Sequence, residues 1–247
     1  EKDKALINRL GFNNDGSEII SKRISKNLPR GFLGVNIGPN KETKNKENDY
    51  FVCLSKLFKH ANYITINISS PNTENLRNFH KQEEMKKLLA GINKIKKEKK
   101  IDQPIAIKIS PDIDDSEISR IIDLIKSFNI QGIIISNTTD NNRKNLSDIN
   151  KNEAGGLSGQ PLKDISTNLI KKCYKETKGK IKIIGVGGVD SGQSAFEKII
   201  AGADAVQLYT GMVYKGPGIV KEIKKELISI LKKENLKNVS EAVGINA

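Results

Sequence analysis

Residues 104–136 read PIAIKISPDIDDSEISRIIDLIKSFNIQGIIIS, and this stretch decides the fold. Its two ends, 104–109 and 132–135, are short, β-branched and almost continuously apolar, the pattern of strands buried on both faces of a parallel sheet. Between them Ile118, Ile121, Ile122 and Ile125 recur at helical spacing on one face. Asp114, Asp115 and Ser116 stand where a helix needs caps and negative charge at its N-terminus. The spacing predicts a helix over 115–128 and, with its flanks, one β-α-β unit.

The same rhythm runs outward in both directions. Apolar blocks stand at 32–37, 63–68, 181–186 and 205–209, and helix-length amphipathic segments at 49–60, 83–97, 165–177, 193–201 and 218–233. Alternation of this kind means an α/β fold. A doubly wound dinucleotide sheet lacks its Gly-x-Gly-x-x-Gly turn here. Polar residues instead follow nearly every strand: Asn36, then Asn67 with Ser69 and Ser70, Lys108, Asn137 with Thr138, Gly187-Gly188, and Thr210-Gly211. A site fed by every strand end is the (βα)8, or TIM, barrel pattern. The count is about six βα units, where a closed barrel has eight. The chain also opens on a predicted helix, 17–27, and begins with Glu1. The expectation is therefore one domain, 1–247, forming an incomplete barrel whose N-terminal strands are missing.

Composition narrows the classes. With 36% hydrophobic residues the chain is polar, yet its apolar residues come in compact blocks, which argues against disorder. No apolar run approaches the roughly 18 residues of a membrane span. Two cysteines and two histidines give neither a disulfide framework nor zinc-ligand spacing, and no metal site is expected. Both histidines read as surface residues, and no Ser-His-Asp set can be assembled from them. Lys+Arg 42 against Asp+Glu 29 gives +13, which invites a nucleic-acid reading. Aromatic residues are only 5%, no recognition motif accompanies the charge, and the lysines travel with asparagine and isoleucine, so no nucleic-acid partner is expected.

Three features carry chemistry. Gly187-Gly188 and Thr210-Gly211 follow the last two strands, and bare glycines let backbone N–H groups approach a phosphate; two tight turns with no ligand are the alternative. Lys108 lies inside an apolar strand, where its charge is costly unless it meets an anion, such as the N1–C2=O edge of a reduced flavin; an edge lysine reaching solvent is the alternative. The segment NISSPNT (67–73) places amides and hydroxyls beyond a strand, suited to a small polar ring or to an ordinary turn.

NISSPNT (67–73) resembles the catalytic segment of the dihydroorotate dehydrogenase family. In the same order as in that family stand INRLGFN (7–13), GVNIGPNK (34–41), KISPD (108–112), SNTT (136–139), GGLSG (155–159), GVGG (185–188) and QLYT (207–210). The resemblance covers nearly the whole chain. It implies FMN as cofactor and the oxidation of dihydroorotate to orotate in pyrimidine (UMP) synthesis. Serine at 70, where the soluble class carries cysteine, implies the quinone-linked class with ubiquinone as acceptor. For the parent enzyme the resemblance implies association with the mitochondrial inner membrane through an N-terminal segment.

Carried over by position, the resemblance makes Ser70 the base that takes the C5 proton while the C6 hydride passes to FMN, with Thr73 and Phe12 shaping the proton path. Asn8, Asn67, Asn72, Asn137 and Thr138 would hold the pyrimidine ring. Asn36, Lys108 and Ser136 would meet the isoalloxazine. Ser158, Gly159, Gly187, Gly188, Leu208, Tyr209 and Thr210 would line the ribityl and phosphate end. Two family strands and the helical pair that forms the quinone tunnel have no counterpart in 1–247, and Gln160 departs from the family with no chemistry assigned to it. The rival readings are another FMN barrel, such as a tRNA dihydrouridine synthase, and an inactive fragment.

Overall fold

The computed structural model describes residues 2–72 and 76–247. The chain opens on a strand, β1 (Ala5–Asn8), followed by α1 (Ser17–Lys26), β2 (Gly34–Ile37), α2 (Lys46–Leu57), β3 (Tyr63–Asn67) and, after a 3-10 turn at Leu76–His80, α3 (Gln82–Lys99). Then come β4 (Ile105–Ile109), α4 (Asp115–Ser127), β5 (Gly132–Ile135), β6 (Gly156–Gly159) and α5 (Lys163–Thr177). The last part comprises β7 (Lys182–Val186), α6 (Gly192–Ile200), β8 (Ala205–Gln207), α7 (Thr210–Lys215), α8 (Ile219–Lys233) and α9 (Val239–Ala242).

Six strands form one parallel sheet in the order β2-β3-β4-β5-β7-β8. These are the six apolar blocks of the sequence, trimmed by a residue or two at their ends. The sheet curls strongly enough for Gln207 Nε2, on its last strand, to donate 3.0 Å to the Tyr63 hydroxyl on β3. This is the curvature of a barrel wall. Among the described residues β2 and β8 remain its two edges, where a closed barrel has none.

One face of the sheet is packed by helices. Ile105, Ile107 and Ile109 of β4 and Ile133 and Ile135 of β5 share a core with Ile118, Ile121, Ile122 and Ile125 of α4. Burying the five apolar residues of α4's inner face stabilises on the order of 10 kcal/mol before chain entropy is counted. Its start is a capping box: Glu117 N–H donates to Asp114 Oδ1 at 2.8 Å and Asp114 N–H to Glu117 Oε2 at 3.1 Å. Because side chains alternate along a strand, Lys108 and Ala106 face the opposite side, the barrel interior. Register then sets Asn67 beside Lys108 and Asn36 beside Thr65 on that inner face.

Two expectations are corrected. The chain does not open on a helix: β1 precedes α1 and pairs antiparallel with β6, Ala5 opposite Gly159 and Asn8 opposite Gly156. His80 is not a surface residue, being only 4% exposed. His60 is half-buried, its Nε2 3.0 Å from Ser21 Oγ and 3.3 Å from Ser25 Oγ.

Candidate active site

The inner face of the sheet and the β1–β6 ribbon enclose a cavity of about 720 Å³. That lies within the range of small-molecule and cofactor sites. The structure brings to it Asn8, Phe12, Asn36, Asn67, Ser70, Asn72, Lys108, Ser136, Asn137, Thr138, Ser158, Gly159, Gly187, Gly188, Leu208, Tyr209 and Thr210. Thr73, the remaining expected site residue, lies outside the described residues.

One end of the cavity is lined by amides and hydroxyls. Asn67 is buried, and its Oδ1 accepts from Ser69 N–H at 3.2 Å, Ser69 Oγ at 3.1 Å and Asn137 Nδ2 at 3.2 Å. Asn137 Nδ2 also lies 3.0 Å from Ser69 Oγ, and Asn137 Oδ1 accepts from Thr138 N–H at 2.8 Å. The Tyr50 hydroxyl fixes the Asn67 carbonyl at 2.6 Å. Asn72 Nδ2 reaches back to the Asn8 carbonyl at 3.0 Å, tying the turn after β3 to β1. Ser70 is buried, and its Oγ accepts from Asn72 N–H at 3.2 Å. No carboxylate or imidazole among the described residues bonds to Ser70. The Phe12 ring stands against Gly38, where a Cβ would come within 2.8 Å of it.

Lys108 faces the same cavity from β4, beside Asn67 in the register. It is half-buried, and no described residue forms an ion pair with it. Burial alone holds its pKa below the usual lysine value. A cation held in a cavity without a counter-charge is suited to an anionic ligand.

The other end is built around a backbone turn. Gly187 has φ +115° and Gly188 φ +70°, and a Cβ at 188 would lie 2.5 Å from Lys163 Cβ. Only glycine fits a turn pressed this closely onto the first turn of α5. Gln160 Nε2 donates to the Gly188 carbonyl at 3.1 Å. Ser158 Oγ accepts from Thr210 Oγ1 at 2.9 Å and donates to the Leu6 carbonyl at 3.3 Å, which joins β6, α7 and β1. Tyr209 is largely exposed at the rim. Ser136 is buried beside the sheet, its N–H on the Val186 carbonyl at 3.1 Å.

The sequence reading missed Lys4, Gln160, Asp190, Tyr214 and Lys215, which line the same end. Lys215 Nζ donates to the Asp190 carbonyl at 2.9 Å and the Tyr214 hydroxyl to the Ala5 carbonyl at 2.7 Å. Tyr214 and Lys215 sit one helical turn beyond Thr210, a signal available once 210–215 is read as a helix.

The model of the dihydroorotate dehydrogenase family matches residues 1–231. The chain is 42% identical over 246 residues to the dihydroorotate dehydrogenase (quinone) of Bartonella tribocorum, covering 98% of this chain and 68% of that one. It is 43% identical over 257 residues to the enzyme of the same name from Trichodesmium erythraeum, covering 99% and 67%. Among solved structures it resembles the DHODH of Eimeria tenella crystallised with ferulenol, with TM-score 0.93 and 35% identity over 99% of this chain and 72% of that one.

Proposed function

The chain belongs to the dihydroorotate dehydrogenase family, and from that premise we infer that it serves the quinone-linked reaction. It oxidises dihydroorotate to orotate in pyrimidine synthesis, with FMN as cofactor and a quinone as electron acceptor. The observation that carries this reading is the meeting of Ser70, the amide cluster, Lys108 and the Gly187-Gly188 turn around one cavity.

The residues present fit FMN. The glycine turn lies against α5 with no side chain of its own, which lets its backbone approach a phosphate, and the uncompensated Lys108 ammonium offers a positive charge beside a ring that gains electrons. Gly159, Gly187, Gly188, Ser158, Leu208, Tyr209 and Thr210 would hold the phosphate and ribityl end, and Asn36, Lys108 and Ser136 the ring. FMN, when bound, supplies the acceptor for the hydride and passes the electrons on to the quinone.

The chain's own residues do the rest. Asn67, Asn72, Asn137, Asn8 and Thr138 present donors and acceptors without charge, which suits a planar pyrimidine with alternating N–H and C=O groups. Ser70 takes a proton from substrate carbon. A hydroxyl is a weak base, so a dry site and a proton relay must support it, and Thr73 is the residue proposed for that relay. The Asn72 N–H on Ser70 Oγ takes one acceptor position of the hydroxyl and leaves its own proton free to enter a relay. Phe12, packed against Gly38, lines the same cavity.

We read 1–247 as part of a (βα)8 barrel. The curled sheet with two edges supports this, as does the fact that the chain spans about two thirds of the length of its relatives. Among the described residues no helix is long and apolar enough to cross a membrane. Use of a quinone supports membrane association of the whole protein, and the mitochondrial inner membrane is the narrower form of that proposal. Several relatives are bacterial, so fractionation of the source cell tests it. The test of function is flavin absorbance together with dihydroorotate-dependent quinone reduction by the whole protein. A protein that takes up no flavin overturns the reading.

A further inference from the structure

Lys198 is a lysine of α6 with no solvent exposure at all. Its three N–H bonds are all used: Nζ donates to Ser166 Oγ at 2.6 Å, Thr167 Oγ1 at 3.0 Å and the Lys163 carbonyl at 3.2 Å. All three acceptors belong to the first turns of α5, and all are formally neutral. No carboxylate among the described residues pairs with it directly, since the nearby Glu197 is engaged with Lys163 at 3.1 Å. Burial accordingly pulls its pKa down to about 7. At that pKa the group is only partly charged near neutral pH, Glu197 and Asp164 offsetting part of the burial, and an anion bound close by would hold it fully protonated.

The next group along is the glycine turn. Ser166 Oγ, which accepts from Lys198, lies 3.4 Å from the Gly187 carbonyl, and a Cβ at Gly187 would stand 2.9 Å from that same oxygen. The Lys198 side chain passes beneath β7, its Cδ 3.2 Å from where a Cβ of Gly185 would be. The ammonium therefore sits under the Gly187-Gly188 turn, on the far side from the cavity, and grips the helix on which the turn rests.

We propose that Lys198 is a positioning residue for the phosphate of FMN, holding the turn in its binding shape through Ser166 and supplying positive charge beneath it. The proposal rests on the FMN reading of the cavity. It differs from a purely structural role in one measurable respect: a structural clamp serves any flavin, whereas this one serves the phosphate. Riboflavin, which shares the ring and ribityl chain but lacks the phosphate, is the probe.

FMN and riboflavin are titrated by fluorescence into the flavin-stripped whole protein, wild type and Lys198→Met. The expected result is FMN affinity weakened about tenfold, the scale of one Coulombic contact across a turn, with riboflavin changed by less than about twofold. Ser166→Ala keeps the charge, cuts the link to Gly187 and is expected to lower the FMN-to-riboflavin preference about threefold, for one lost hydrogen bond. It carries the test alone if Lys198→Met does not fold. Equal weakening of both flavins, or an unchanged preference, overturns the proposal while leaving the FMN site standing. A wild type that binds neither flavin overturns both.

Discussion

Over β3 and β5 the cavity is lined by side chains that bond to one another, Asn67 with Ser69 and Asn137, and Asn72 with Asn8. Between β7 and α7 it is built around a backbone turn, with Gly187 and Gly188 pressed onto α5 and bonded by Gln160 and Ser166, the latter gripped in turn by Lys198. The two ends answer different demands. An amide cluster that satisfies itself can exchange partners when a ring with matching groups arrives, and it adds no charge to a site that must move a proton. A glycine turn cannot exchange anything. Its value is a fixed shape with N–H groups at close approach, and it suits a ligand part that stays in place through every turnover. Substitutions at the first end should therefore alter turnover with the cofactor in place, and substitutions at the second should alter occupancy by the cofactor.

The largest effect belongs to the chemical end. Ser70→Ala is expected to leave FMN bound and to slow its reduction by dihydroorotate at least about a hundredfold, the usual worth of a general base. Stopped-flow loss of the oxidised flavin band measures it, and near-normal reduction removes Ser70 from the mechanism. Next comes the glycine end. Gly188→Val puts a branched residue at φ +70° and drives its Cβ into Lys163. Strain and collision together predict FMN affinity lower by about thirtyfold, while the Michaelis constant for dihydroorotate, measured at saturating FMN, stays within about threefold of wild type. A large change in that constant with flavin occupancy intact would dissolve the distinction between the ends.

Asn137→Ala sharpens the comparison from the other side. It removes the donor to Asn67 Oδ1 and Ser69 Oγ and the acceptor for Thr138 N–H. Leaving such groups unpaired costs about 1–3 kcal/mol, so the Michaelis constant for dihydroorotate should rise about tenfold with FMN affinity unchanged. Parallel loss of FMN would show that the two ends are one cooperative unit.

The two ends also differed in how much their sequence disclosed. The six sheet strands were readable because burial on both faces leaves an almost unbroken β-branched run, as in 132–135. Within a barrel, polar residues at or just past a strand end are expected at the cavity, which makes Asn67 and Gly187 legible without a single contact, and Lys108 is legible as a charge inside an apolar strand. The β1–β6 ribbon was not readable. Its strands ALIN and GLSG are four residues each, lie about 150 residues apart, and have no alternation to announce them. Lys198 was hidden for a related reason, since a lysine in an amphipathic helix looks solvated until α5 is seen to cover it. Local pattern reveals elements and the side they face, whereas pairings across the fold leave no local mark.

His80 shows the same limit and gives the smallest of the predicted effects. It lies on the 3-10 turn Leu76–His80, beside Phe79, whose ring meets Tyr50 edge-on at 5.6 Å, and Tyr50 in turn holds the Asn67 carbonyl. Among the described residues its Nε2 has no partner, and burial, helped by the Arg77 charge, lowers its pKa from 6.5 to about 4. The folded protein therefore keeps His80 neutral where the unfolded chain binds a proton, so stability is complete above pH 6.5 and declines as pH falls towards 4. Between pH 7.5 and pH 6 this one group should remove about 0.8 kcal/mol of stability. Urea denaturation at the two pH values, compared with His80→Gln, isolates it: the wild type should lose that amount and the variant should not. Because His80, Phe79 and Tyr50 stand behind the amide cluster and far along the chain from the glycine turn, the same acid shift should raise the Michaelis constant for dihydroorotate before it releases FMN. Release of FMN first would place the weaker support at the glycine end instead.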